Sequence, residues 1–122
     1  MAGGNANGDN AIALAGGKAN GLSSMAFGNG AAASSKNIAF GENANATSTQ
    51  TLAVGTNTKA GMKYSVAIGS DARTVNTDGT VTGGTNSSGA IAIGYQASAT
   101  NNEAIAIGGG TKGNGYAIAS GA

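Results

Sequence analysis

Cysteine, proline, histidine and tryptophan are all missing from this sequence, and aromatic and charged residues are scarce at 4% and 9%. Each absence closes a door. Without histidine or cysteine, and with only Asp9, Glu42, Asp71, Asp78 and Glu103 as carboxylates, catalysis and metal binding have almost nothing to work with. A net charge of +1 from scattered cations does not form the clustered basic stripe that nucleic acid requires. No run of 18 apolar residues is present, so nothing here reads as a membrane-spanning helix. No leader pattern opens the chain, and Met1-Ala2-Gly3 reads as an expression start. The lack of cysteine suits secretion but equally suits the cytosol.

What is present is glycine, 23 of 122 residues, and a hydrophobic fraction of 40% that is largely alanine. Ordering a backbone costs roughly 1–2 kcal/mol per residue, and alanine buries little area in return. A single compact core is therefore excluded. The chain is either disordered or a repeat fold that gains burial from stacking and oligomerisation.

The period decides between them. An apolar–Ala–apolar–Gly tetrapeptide recurs as Met25-Ala26-Phe27-Gly28, Ile38-Ala39-Phe40-Gly41, Leu52-Ala53-Val54-Gly55, Val66-Ala67-Ile68-Gly69, Ile91-Ala92-Ile93-Gly94 and Ile105-Ala106-Ile107-Gly108. Degenerate copies flank these, Ile12-Ala13-Leu14-Ala15 and Ile118-Ala119-Ser120-Gly121. Successive copies end 13, 13, 14, 14, 25, 14 and 13 residues apart. Small residues follow each glycine at the third and fifth positions: Ala31 and Ala33, Ala44 and Ala46, Thr58 and Ala60, Ala72 and Thr74, Ala97 and Ala99, Thr111 and Gly113. In the first copy Ala19 and Gly21 count correctly only from Gly16, which predicts one extra residue there, as a bulge.

Two alternating segments separated by a glycine turn, repeated every 14 residues or so, describe one coil of a parallel β-solenoid. Eight coils stacked ~4.8 Å apart make a rod on the order of 35–40 Å long. The alternation puts the isoleucines of a unit on one face, and its central alanine with the preceding small residue (Ser24, Asn37, Thr51, Ser65, Ala90, Ala104, Ala117) on the other. A stripe of eight alanines does not suit solvent, so both faces are expected to be buried. The larger residues would fill the roll, and the alanine face would pack on an identical neighbouring chain.

These residues resemble a known family. Ser65-Val66-Ala67-Ile68-Gly69 followed by Ala72 is similar to the SVAIG-x-x-S-x-A repeat of Yersinia-adhesin-type heads of trimeric autotransporter adhesins, and the copies at 90–94 and 104–108 resemble common variants. The resemblance covers about residues 11–121. It implies an all-β, left-handed parallel β-roll with three chains around one axis, forming one head domain over residues 1–122. It further implies display at the bacterial cell surface beyond the outer membrane, on a stalk and barrel anchor that this sequence does not include. No heptad pattern appears, so a head fragment without direct membrane contact is expected. The implied partners are the chain itself and a host matrix protein or cell-surface receptor, with no cofactor and no enzymatic activity. A self-association module for biofilm is the alternative on the same scaffold.

Other repeat classes fit worse. Hexapeptide acyltransferases need period six and usually a catalytic histidine, and calcium-binding rolls need an aspartate in each nonapeptide turn. An ice-binding solenoid needs a Thr-x-Thr ladder; Thr47-Ser48-Thr49 and Thr56-Asn57-Thr58 are hints of one, but most coils offer Ala-x-Ala there. Gly108-Gly109-Gly110 is followed by no lysine-serine pair and no helix of a phosphate loop.

The 25-residue interval holds an insertion of 11 residues, within about 73–89. There Thr74-Val75-Asn76-Thr77-Asp78-Gly79-Thr80-Val81-Thr82 reads as a hairpin with Asp78-Gly79 at its tip. It is the candidate ligand-contact loop, although solenoid corners accept passive insertions easily. Tyr64, Tyr95 and Tyr116 are secondary candidates for adhesive contact. Lys18, Lys36, Lys59, Lys63, Lys112 and Arg73 are candidates for anionic glycans, but solvated charge is the simpler reading.

Overall fold

Three residues of alternating size, a turn and two more small residues are too short to sustain anything but a strand at each pass. The computed structural model describes residues 3–75, 89–100, 102–109 and 117–119, and among these finds fifteen strands and no helix. The three-residue strands β2 (Ile12–Leu14), β4 (Met25–Phe27), β6 (Ile38–Phe40), β8 (Leu52–Val54), β10 (Val66–Ile68), β12 (Ile91–Ile93) and β14 (Ile105–Ile107) stack in sequence order into one parallel sheet. The two-residue strands β1 (Asn5–Ala6), β3 (Lys18–Ala19), β5 (Ala32–Ala33), β7 (Asn45–Ala46), β9 (Lys59–Ala60), β11 (Arg73–Thr74) and β13 (Ser98–Ala99) form a second. The chain alternates between the sheets, so β2 to β13 make six complete coils. Like pairs with like throughout: Ala26, Ala39, Ala53, Ala67, Ala92 and Ala106 are neighbours in register.

That alanine ladder lies inside the roll, which reverses the expected assignment of faces. Ala26, Ala39, Ala53, Ala67 and Ala92 have no exposed surface, and Ala31, Ala33, Ala44, Ala46 and Ala60 meet them from the other sheet. Ser24, Asn37, Thr51, Ser65, Ala90 and Ala104 are buried as well. The isoleucines, by contrast, point outward. Two sheets that meet through methyl and hydroxymethyl groups leave no space for a branched four-carbon side chain.

The corner glycine is fixed by two constraints at once. Gly69 has φ 125°, and its amide donates to the Val54 carbonyl at 2.8 Å. A Cβ there would sit 2.5 Å from the Gly94 carbonyl oxygen of the next coil. No other residue meets both requirements.

Three further expectations are corrected. The first corner is one residue shorter than the others, not longer: Lys18 and Ala19 pair with Ala32 and Ala33, so Gly17 and Ala19 take the small positions. What is missing is the corner glycine position itself: Ala15 has φ 51° and Gly16 φ 81°, with no counterpart to Gly28 at φ 117°, and Gly17 N donates directly to Leu14 O. The last copy is not an eighth coil. Its strand β15 (Ala117–Ala119) runs antiparallel to β14, with Ile118 opposite Ala106. Thr74 and Val75 belong to the coil and are buried, so they are not part of a projecting loop. Val75 still pairs with the next coil, its amide donating to Ala99 O at 3.2 Å, and Gly89 is again in the stack, its amide donating to Lys63 O at 2.9 Å. Residues 76–82 of the candidate loop lie outside the described residues.

The buried polar side chains find partners, some within one turn and some across coils, with one exception among the described residues. Ser24 and Ser65 each donate their hydroxyl to the carbonyl three residues back, Gly21 at 2.7 Å and Met62 at 2.6 Å. Asn37 is longer and reaches into the next coil. Its Nδ2 donates to Ala46 O at 2.7 Å and to Ser48 O, and its Oδ1 accepts from Thr51 N at 2.8 Å. Ser48 O is the carbonyl that Thr51, by the serine rule, should use. Asn37 has taken it, and Thr51 Oγ1 is the buried side-chain atom left without a partner among the described residues.

Two stability outcomes follow from this interior. Ala67→Leu is expected to destabilise by about 1–3 kcal/mol or more, because the added carbons have no space inside the roll. Thr51→Val, which removes an unsatisfied hydroxyl at nearly constant shape, is expected to be neutral or to stabilise by about 1 kcal/mol. Thermal melting of both variants checks them; a Thr51→Val loss comparable to that of Ala67→Leu would show that the hydroxyl is in use.

Candidate functional surface

With alanine inside, the larger apolar residues form two columns on the outer face of the sheet of three-residue strands. Ile12, Met25, Ile38, Leu52, Val66, Ile91 and Ile105 make one; Leu14, Phe27, Phe40, Val54, Ile68, Ile93 and Ile107 make the other. Cross-coil neighbours touch, as the Phe27 and Phe40 rings do at 5.4 Å between centroids. Many stay open in the single chain: Phe40 and Ile107 are each 53% exposed. A continuous apolar stripe of this length marks a protein interface.

The opposite sheet faces outward with short polar residues and cations. Asn45, Lys59, Arg73 and Ser98 are successive neighbours there, and Arg73 Nε donates to Ser98 Oγ at 3.3 Å. Beside them Asn43 Nδ2 donates to Asn57 Oδ1 at 3.4 Å, and a shallow groove of about 280 Å³ lies among Asn43, Asn57, Lys59, Asp71 and Arg73. A larger recess of about 480 Å³ opens at the other corner, lined by Ser34, Ser35, Lys36, Thr47, Ser48, Thr49 and Lys63. The first is lined by amides, cations and one carboxylate, the second by hydroxyls and ammoniums. Among the described residues no three of His, Cys, Asp and Glu are grouped to hold a metal.

A single-chain roll with a small-residue interior, a glycine ladder and an uncovered apolar stripe is a specific combination. A model of the YadA head domain repeat, two copies long, matches residues 19–37, 38–58, 47–72 and 86–111, more than half of the sequence. The chain belongs to the YadA head family. No curated protein and no solved structure matches it. The matched stretches break between residues 72 and 86, the interval that holds the 11-residue insertion.

Within this YadA head the sequence-derived candidates separate. Tyr64 and Tyr95 are more than half exposed, each at a corner, while Tyr116 and Lys112 lie outside the described residues. Lys18, Lys36, Lys59 and Arg73 are exposed, and Lys63 is partly so. Reading the apolar residues as roll filling overlooked the two columns as a surface. The signal was available: Met25, Ile38, Leu52 and Val66 vary in shape at one position, whereas the alanine beside them never changes size, as the narrow space between two close sheets requires.

Proposed function

We propose that this chain is the head portion of a bacterial surface adhesin, a homotrimer that attaches to host matrix or cell-surface molecules without catalysing a reaction. The apolar stripe is the observation that carries the reading. Fully burying one Val, Leu, Ile or Phe side chain contributes roughly 1.5–3 kcal/mol, and two columns of them await cover. YadA-type heads form homotrimers and bind host matrix. Closed threefold symmetry lets three identical stripes cover one another about an axis, leaving the polar sheet and the corners facing outward. The stripe thus takes the interface role that the sequence suggested for alanine.

Placement beyond the outer membrane follows the same family and is part of the proposal. Attachment surfaces repeated three times would also act multivalently, so weak single contacts sum to firm adhesion. Two experiments check the reading. Ile68→Glu combined with Ile93→Glu is expected to abolish the trimer in light scattering coupled to size exclusion, since six carboxylates would crowd the axis; a monodisperse wild-type monomer would sink the trimer outright. Deleting Asn76–Asn86 leaves Val75-Ser87-Ser88-Gly89-Ala90, a corner of the same length as Gly61-Met62-Lys63-Tyr64-Ser65. The trimer and its melting temperature should survive that deletion. If the inserted loop is the contact, attachment to immobilised matrix proteins falls sharply; unchanged attachment moves the contact to the coils.

A further inference from the structure

The recess at the corner between the two-residue and the following three-residue strands has a structural cause. Between β5 and β6 the corner holds four residues, Ser34, Ser35, Lys36 and Asn37. Between β7 and β8 it holds five, Thr47 to Thr51, and between β9 and β10 again five, Gly61 to Ser65. One coil therefore turns short beneath two that turn long, and the surface is indented there. Asn37 fixes the offset, because its side chain binds Ala46 O, Ser48 O and Thr51 N of the longer corner from inside.

The lining is chemically one-sided. Five hydroxyls and two ammoniums converge on it, and no carboxylate and no apolar side chain takes part. None of those hydroxyls and neither ammonium has a hydrogen-bond or ion-pair partner among the described residues. Lys36 and Lys63 stand two coils apart, roughly 10 Å along the stack at the usual strand spacing. Ammoniums bind anionic oxygens strongly, and hydroxyls both donate to and accept from the hydroxyls of a sugar.

We propose that this recess binds an acidic glycan, holding a sulfate or carboxylate group between Lys36 and Lys63 and the sugar hydroxyls against Ser35, Thr47 and Thr49. The proposal deepens the adhesin reading and rests on it, naming one ligand class and its place. It departs from the view of these lysines as solvated charge only for the two in the recess. Lys18 and Lys59 remain outside it.

The test uses the intact chain and calorimetry with a heparin-derived hexasaccharide, its desulfated counterpart and inorganic sulfate. Lys36→Gln combined with Lys63→Gln is expected to weaken hexasaccharide binding about tenfold or more. The fold should tolerate the first change, since Gln50 occupies the equivalent position of the next coil at φ 51° beside Lys36 at 59°. Thr47→Ala with Thr49→Ala keeps the charge and should still weaken binding severalfold. Lys18→Gln with Lys59→Gln, the same loss of charge elsewhere, should change it less than about twofold. An equal loss from that control pair, or no hexasaccharide binding by the wild type, overturns the recess. Inorganic sulfate competing as well as the hexasaccharide overturns its assignment to a sugar. Attachment of chain-coated beads to matrix proteins and cells is scored alongside: attachment without glycan binding defeats the recess alone, and loss of both defeats the adhesin reading with it.

Discussion

Where its two sheets face each other, the interior of this roll is lined almost entirely by alanine methyls, with larger buried side chains such as Met62 and Asn37 confined to the corners, and the rest of the molecule depends on that. Sheets of two- and three-residue strands cannot surround a conventional core, because each pass offers one or two inward positions per strand. Alanine, serine and threonine let the sheets approach closely enough to exclude water with almost no side-chain entropy to lose. The same closeness requires glycine at the corner, where Gly69 leaves no space for a Cβ against the Gly94 carbonyl. It also makes interior polar groups exacting. When Asn37 takes Ser48 O, Thr51 has nowhere else to turn.

A narrow interior displaces the larger apolar residues rather than eliminating them. They gather outside in two columns, and in the homotrimer proposed above their burial would move from within the chain to between chains. Folding and assembly would then become one problem. Small-residue burial within a coil contributes little per residue, and the stripe supplies what is missing only when covered.

The period, the corner glycines and the parallel register were legible because stacking copies one geometry many times, and each copy must meet the same steric test. The face assignment was not. Alternation with period two distinguishes two sides of a strand but does not say which is inside. Scarcity of solvent-like residues on the alanine side suggested an interface, whereas the deciding quantity was volume. The first corner misled for a related reason: it lacks the corner glycine position, and residue counting alone cannot separate an added residue from a missing one. The reversal of β15 had no signal in Ala117-Ile118-Ala119, since a tripeptide of such composition pairs in either direction.

The second corner shows where such a scaffold can vary. One residue in each of these turns adopts left-handed backbone: Ser23, Lys36, Gln50, Tyr64 and Glu103, at φ between 51° and 59°. For residues other than glycine this costs roughly 1–2 kcal/mol each. The stack holds them there through cross-coil bonds such as Lys36 N to Leu22 O at 2.8 Å and Tyr64 N to Thr49 O at 2.9 Å, which involve only backbone. Side-chain identity at the corner is therefore released from the demands of the fold, while interior and glycine positions are not. A cation, an amide, a phenol and a carboxylate succeed one another in one row without disturbing the coils. Corner length is free in the same way, from the short turn at Ser34 to the insertion after Val75. Recognition chemistry can change there while the alanine ladder and the apolar columns stay fixed, which is why a hydroxyl- and lysine-lined recess arises at a corner and not on a sheet.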